Sequence, residues 1–189
     1  MNVERGIEPH FVPLIDDAPP GAQASRADPA RAAEFEALLR EHDRSVRFVA
    51  TRIVGGDVDD VLQAAYLKAF RRWSTFRGEA AFGTWLHTIV YRTAIDHVRT
   101  TRRRALLHVR SAARDTALST DEAVGDRLAV EAALARLSVA QRAAVLLVDA
   151  QGMSYDEAAV VLGVASGTIA SRVHRAHLAM RETLERGST

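Results

Sequence analysis

SYDEAAVVLGVASGTIASRVHRAHLAM, residues 154–180, decides how the chain is read. It divides into two helical halves about Gly163. Ser154 stands three residues before Glu157, the spacing at which a hydroxyl and a carboxylate each satisfy a free N–H at a helix start. The helix it opens ends at Leu162, and Gly163 suits the left-handed residue that closes it. A second helix starts near Ser166 and runs to about Glu185. Ile169, Val173 and Ala176 or Leu178 recur at helical spacing and turn inward, while Ala158, Ala159 and Leu162 of the first helix permit a close crossing. Thr168, Ser171, Arg172, His174 and Arg175 are left facing outward. Two helices about a tight glycine turn form a helix-turn-helix. Such a helix fits the major groove of B-DNA with its N-terminal half at the base edges, where arginine pairs with guanine or phosphate and hydroxyls suit phosphates. A plain helical hairpin with a solvated face shares the periodicity; the boxed cap, the turn and the outward arginines favour nucleic acid. His174 and His177 are poorly spaced for a metal pair, with no carboxylate beside them in sequence, and no metal or cofactor is expected.

Upstream, Ser138 and Gln141 form a second capping box, opening a helix with Val145, Leu146 and Val148 inside and Gly152 at its break. Another helix runs from Thr120-Asp121-Glu122 to Leu137. In the first half, Asp28-Pro29 is a helix start, an acid at the cap before proline at the first helical position. Phe35, Leu38, Leu39, Val46, Val49 and Ile53 follow at helical spacing until Gly55-Gly56. Asp57 is expected to cap the next helix, with Asp59 and Asp60 in its first turn and a buried stripe of Val58, Val61, Leu62, Ala65, Ala69, Phe70 and Trp73. After the polar loop 74–80, a third helix spans about Ala81 to Arg103. Phe82, Trp85, Leu86, Ile89, Val90, Ala94 and Val98 are its apolar side; Thr84, His87, Tyr91, Arg92, Asp96 and Arg99 are assigned to its other sides.

No strand pattern of useful length interrupts these helices. The expected fold is all-α: two small helical domains, 28–104 and 121–189, joined by a flexible linker at 105–120 and preceded by a proline-rich, disordered N-terminal extension at 1–27. The extension holds one apolar cluster, Phe11 to Ile15.

The formal net charge is +1, but its placement is uneven. Lys68 is the only lysine. Between Arg92 and Arg114 stand Arg92, Arg99, Arg102, Arg103, Arg104, Arg110 and Arg114 against the single acid Asp96, while acids gather at 57–60 and 115–131. A balanced total hiding a basic block is a footprint of nucleic-acid binding, though a solvated helix end has the same composition. There is no cysteine, which excludes disulfides and thiolate metal sites and suits a cytoplasmic protein. No apolar run is long enough for a membrane span or a secretory signal. Neither a P-loop, an HExxH pair nor a nucleophile–base arrangement is present, so no catalytic residue is named and no enzymatic activity is expected.

Three blocks, DVDDVLQAAYLKAFRRW (57–73), FRGEAAFGTWLHTIVYRTAIDHVRTTRRR (76–104) and LARLSVAQRAAVLLVDAQGMSYDEAAVVLGVASGTIASRVHRAHLAM (134–180), resemble in order and spacing the group IV, or extracytoplasmic-function (ECF), sigma factors of bacterial RNA polymerase, within the sigma-70 family. The resemblance covers roughly residues 33–186. It implies a subunit that binds core polymerase, through the β′ clamp helices and the β flap, recognises −10 and −35 promoter elements, promotes DNA melting, and is held in check by an anti-sigma factor. The residues it implies for core polymerase are Asp60, Leu62, Gln63, Lys68 and Arg71. Those for the −10 element are Phe76, Arg77, Gly78, Tyr91, Arg92, Asp96, His97, Arg99, Arg102 and Arg103. Those for the −35 element are Thr168, Ser171, Arg172, His174 and Arg175. From the residues alone, a dimeric helix-turn-helix regulator binding operators remains open, as does a helical adaptor without nucleic acid.

Overall fold

The computed structural model describes residues 29–56, 58–107 and 122–187. The expected N-terminal extension, the Asp28 and Asp57 caps and most of the expected linker lie outside the described residues. Among those described, all regular structure is helical, in two units.

The first unit has three helices: α1 (Pro29–Val54), α2 (Asp59–Arg72) and α3 (Phe82–Leu107). The N–H of Gly55, at φ +72°, bonds the Thr51 carbonyl at 2.9 Å and ends α1. Val58 occupies the cap position of α2 with no side-chain bond, and Asp59 and Asp60 set negative charge against the first turn instead. α3 packs on both α1 and α2. At one crossing α1 and α3 approach so closely that a Cβ on Gly83 would lie 2.7 Å from the His42 ring. Phe35, Val46, Val49, Ile53, Val61, Leu62, Leu86, Ile89 and Val90 fill the centre. On the outside, Arg47 of α1 pairs with Asp59 of α2, and the Tyr66 hydroxyl donates to Asp43 at 2.6 Å. Burial, then Asp43, pushes the Tyr66 pKa well up.

α3 continues three residues past the expected domain end at 104. Phe70, expected in the buried stripe, is 42% exposed: one ring edge meets Phe35 at 5.4 Å and the rest faces solvent. His87 and Thr84, expected away from the apolar side, are buried. They share a stripe of α3 with Thr88 and Tyr91, and His87 in it lies against Ser45 and His42 of α1.

The second unit contains α4 (Glu122–Arg136), α5 (Val139–Val145), a single wide π-turn (Leu146–Ala150), α6 (Tyr155–Leu162) and α7 (Ser166–Gly187). Both expected capping boxes form. The hydroxyl of Ser138 accepts from the Gln141 N–H and that of Ser154 from the Glu157 N–H, while each N3 side chain returns to its cap N–H. The Ser154 backbone N–H, then its hydroxyl, holds the Glu157 carboxyl below the usual carboxylate range. α7 is the hub on which α4, α5 and α6 pack. The π-turn was not legible from periodicity. It widens the last turn of α5, so that the Gln151 N–H reaches the Leu146 carbonyl at 3.1 Å and the chain turns at Gly152.

The units meet along two seams. In one, Arg142 of α5 donates to the carbonyls of Leu134 (2.8 Å), Ala135 (2.9 Å) and Leu137 (3.2 Å) at the end of α4, and to that of Arg52 (2.8 Å) near the end of α1. Carbonyls in a last helical turn lack partners within their own helix and carry the negative end of its dipole, so one cation suits both helices. Arg52 in turn pairs with Glu131 of α4 and lies over the Phe48 ring at 3.7 Å. In the other, α6 packs on α3. There the Ser45 hydroxyl donates to Gln151 Oε1 while lying 2.8 Å from His87 Nε2. A hydroxyl has one proton. With it given to Gln151, His87 Nε2 must carry the N–H that Ser45 accepts.

Burial, then the neighbouring His42, lowers the His87 pKa from 6.5 to about 4. The unfolded chain takes up this proton as pH falls below 6.5 while the folded chain does not. The stability His87 contributes as a neutral ring is therefore complete above that value and lost towards pH 4. Between about pH 7.5 and about pH 4.5 the loss is about 2.5 kcal/mol. Denaturant unfolding at both pH values should show it, and His87→Gln, which keeps an N–H for Ser45 but cannot titrate, should remove that share. Equal pH dependence in both proteins would contradict the assignment. Ser154→Ala should cost about 1 kcal/mol in the same measurement at neutral pH, by freeing the first turn of α6.

Candidate nucleic-acid interface and partner surface

α6 ends in the left-handed Gly163 (φ 64°, ψ 41°), and the Val164 N–H returns to the Ala159 carbonyl at 3.1 Å. This places α7 across α6 with Ile169, Val173 and Ala176 buried. Of the two inward candidates at the third position Ala176 is the buried one; Leu178 is 45% exposed. Ser171, His174 and Arg175 are exposed, Thr168 and Arg172 half-buried. Ser171 and Arg175 are pre-arranged: the Ser171 hydroxyl donates to the Thr168 carbonyl at 2.9 Å, and Arg175 Nε donates to the Ser171 carbonyl at 3.0 Å. His177 does have a carboxylate beside it, Asp149 at 2.5 Å, which ties α7 to the π-turn rather than to a ligand.

A second basic surface lies on α3. Asp96, His97, Arg99, Arg102 and Arg103 are exposed, Tyr91 and Arg92 half-buried. Burial pushes the Tyr91 hydroxyl pKa up, against the opposing charges of Arg172 and Arg99. The charge of Arg172 of α7 is thus felt at Tyr91 of α3. Thr93 is buried, donates to the Ile89 carbonyl at 2.9 Å and accepts from Lys68 at 3.3 Å.

The loop between α2 and α3 rests on an aromatic floor. A 3₁₀ turn, Trp73–Thr75, delivers Phe76 onto Trp73, stacked at 5.2 Å and 19°, with Trp85 at 4.9 Å and Phe82 at 5.9 Å. Trp73 and Phe82 are buried, Phe76 and Trp85 half-buried, and Arg77 and Gly78 (φ +73°) exposed. Partly open aromatic faces beside an arginine suit the stacking of an unpaired base.

The third surface is the outer face of α2. Asp60, Gln63, Lys68 and Arg71 are exposed. Leu62, named with them from the resemblance, is 1% exposed and packs in the core, so it does not lie on this outer face. Leu67 (49% exposed) and Phe70 are the exposed large apolar residues of α2. A signal for Leu67 was available: it stands seven residues from Asp60, on the same side of the helix as Gln63 and Arg71. Tyr155 and Val160 of α6 are further exposed apolar residues that no motif marked.

Comparison with known proteins follows this geometry. Residues 38–104 match Sigma-70 region 2 and residues 127–180 match Sigma-70, region 4. The ECF RNA polymerase sigma factor SigM of Mycobacterium tuberculosis H37Rv is 40% identical over 154 residues, 79% of this chain and 76% of that protein. SigC of the CDC 1551 strain is 35% identical over 87% of this chain and 91% of its own length, and the ECF sigma-E factor of Escherichia coli K12 is 30% identical over 77% and 84%. Among solved structures, the sigma factor RpoE of Bartonella quintana, crystallised with the anti-sigma factor NepR, superposes with a TM-score of 0.67 at 28% identity, over 80% of this chain and 97% of that one. CnrH, solved with the cytosolic domain of CnrY, shares the fold at 24% identity and a TM-score of 0.60. Both sigma regions, in order and on one chain, set aside the operator-binding regulator and the adaptor: the chain belongs to the ECF sigma factors of bacterial RNA polymerase, within the sigma-70 family.

Proposed function

We propose that this chain is the promoter-specificity subunit of an RNA polymerase, with residues 28–104 binding core enzyme and the −10 element and residues 121–189 binding the −35 element. The observation that carries this reading is the pairing, on one chain, of an outward basic recognition helix with an aromatic-floored basic loop. The first suits paired DNA and the second suits opened strands. Thr168, Ser171, Arg172, His174 and Arg175 meet the −35 duplex. Tyr91, Arg92, Asp96, His97, Arg99, Arg102 and Arg103 track the −10 region, and Phe76, Arg77 and Gly78 hold an unstacked base beside Trp85. The outer face of α2, with Asp60, Gln63, Leu67, Lys68, Phe70 and Arg71, grips the clamp of the polymerase.

Preferential capture of single-stranded bases drives melting, with no nucleotide hydrolysis and no catalytic group of its own. Neither DNA contact need be tight alone. Polymerase holds both units on one DNA, so the second contact forms at high effective concentration. Arginine–phosphate contacts supply salt-sensitive affinity and the base contacts supply specificity. The chain works in the cytoplasm. An anti-sigma factor that covers these surfaces regulates it, a reading supported by the NepR-bound relative.

Run-off transcription with core polymerase across a genomic promoter library tests the proposal: a defined set of start sites should appear only when the chain is added. Binding to core with no initiation anywhere would contradict it. Arg172→Ala with Arg175→Ala should weaken holoenzyme binding to promoter duplex about tenfold or more and flatten its log–log salt dependence by about one to two. Leu67→Ser with Phe70→Ser, both exposed, should leave thermal stability nearly unchanged while lowering core affinity, measured by co-elution or anisotropy, by about tenfold.

A further inference from the structure

The loop between α2 and α3 is fastened to the first turn of α1 by a reciprocal pair of contacts. The Trp73 indole Nε1 donates to the Arg31 backbone carbonyl at 2.9 Å. In return Arg31 Nη2 donates to the Trp73 carbonyl at 3.0 Å and to that of Ser74 at 3.3 Å, one hydrogen for each. The guanidinium also lies over the Trp73 ring, 5.7 Å from its centre. The 3₁₀ turn Trp73–Thr75 follows α2 directly, so these are carbonyls at a helix end, without partners inside the helix. Arg31 supplies the partner and sets a positive charge against the negative end of the helix dipole.

The same carbonyl sets the course of the loop. The Phe76 N–H bonds the Trp73 carbonyl at 3.2 Å, so one oxygen accepts both from Arg31 and from the first residue of the loop. There the backbone leaves the turn, with Phe76 at φ −67° and ψ 119°, and its ring comes to lie on Trp73 and beside Trp85. We propose that Arg31 is a positioning residue for base capture, an inference that rests on the assignment of this loop to opened strands. By holding the Trp73 and Ser74 carbonyls it fixes the exit of the chain towards Phe76, Arg77 and Gly78, and so keeps the aromatic floor in the shape that receives an unstacked base. Arg31 acts through these carbonyls and not on the base.

The side chain can be changed without loss of the fold. Arg31 is exposed, and its backbone carbonyl keeps the bond from Trp73 whatever side chain stands there. Alanine is a strong helix former, so Arg31→Ala removes the hold on the turn and leaves α1 in place. Arg31→Lys keeps a cation and N–H donors for the carbonyls but loses the planar fork over Trp73, and should restore part of the effect.

Both tryptophans of the protein, Trp73 and Trp85, stand in this floor, so the intrinsic fluorescence of the free chain reads it alone. Arg31→Ala should shift the emission to the red and raise quenching by acrylamide, with circular dichroism unchanged, and Arg31→Lys should fall between the variant and the parent. The polymerase-bound chain is then given two probes at low salt: a short single-stranded oligonucleotide of mixed sequence, and its fully abasic counterpart, which offers phosphates and sugars without bases. Arg31→Ala should weaken binding of the first about fivefold, part of what one stacked base contributes, and leave the second unchanged. Equal weakening of both probes would make Arg31 a phosphate contact, and weakening of neither, or an unchanged emission, would make it a surface staple. Each of these overturns the proposal while a parent that prefers the base-carrying probe keeps the loop's own assignment. A parent that binds both probes equally removes the base-holding role of the loop and this inference with it.

Discussion

The guanidinium of Arg142 answers the carbonyl ends of two helices at once, those of α4 in its own unit and that of Arg52 near the end of α1. Helix ends are where backbone acceptors lack partners, and water meets them wherever a protein group does not. Supplying one cation to both ends makes the position of one unit relative to the other part of the hydrogen-bond accounting of each. The neighbouring Arg52, paired with Glu131 and laid over Phe48, extends the same seam. In the other seam α6 lies on α3, and Gln151 reaches Ser45, which lies beside the buried His87.

This arrangement sets the physical problem that initiation must solve. On the proposed reading, two basic surfaces on one chain bind two separate stretches of DNA. Neither is large, and the total charge of the chain is close to zero, so long-range attraction to DNA is weak. In that reading, a scaffold that holds both units fixes the spacing of the two surfaces. In the same reading, such a scaffold attaches at the exposed apolar residues of α2, Leu67 and Phe70, which gain nothing from facing water. Asp60, Gln63, Lys68 and Arg71 around them provide a polar rim of the kind that orients a partner.

Much of this was legible in the residues. Both capping boxes, the glycine stops and the helical stripes have local causes, and the structure bears them out at Ser138, Ser154, Gly55 and Gly163. The all-α fold and the recognition helix followed from them. What periodicity could not give was the second layer of packing. His87 and Thr84 look polar-sided on α3 because an apolar pattern does not mark polar residues that pack inward; both are buried, His87 against Ser45 and His42 of α1. Leu62 is buried as its place in the α2 stripe led one to expect, whereas Phe70, expected in the same stripe, is left 42% exposed. The π-turn at 146–150 leaves no mark in an apolar run such as Val145-Leu146-Leu147-Val148. Arg142 was invisible because its partners are backbone carbonyls, which every residue has.

The central claim is that the enzyme they serve fixes the separation at which the two units read a promoter. The most direct measurement is the distance between a label on α1 and a label on α7 as core polymerase is titrated into the free chain, followed by promoter DNA. A short, single distance that gives way to a distinctly longer one in step with core binding, and is retained when DNA is added, is the expected result. A complex that initiates transcription while the labels keep their free-chain separation would contradict it.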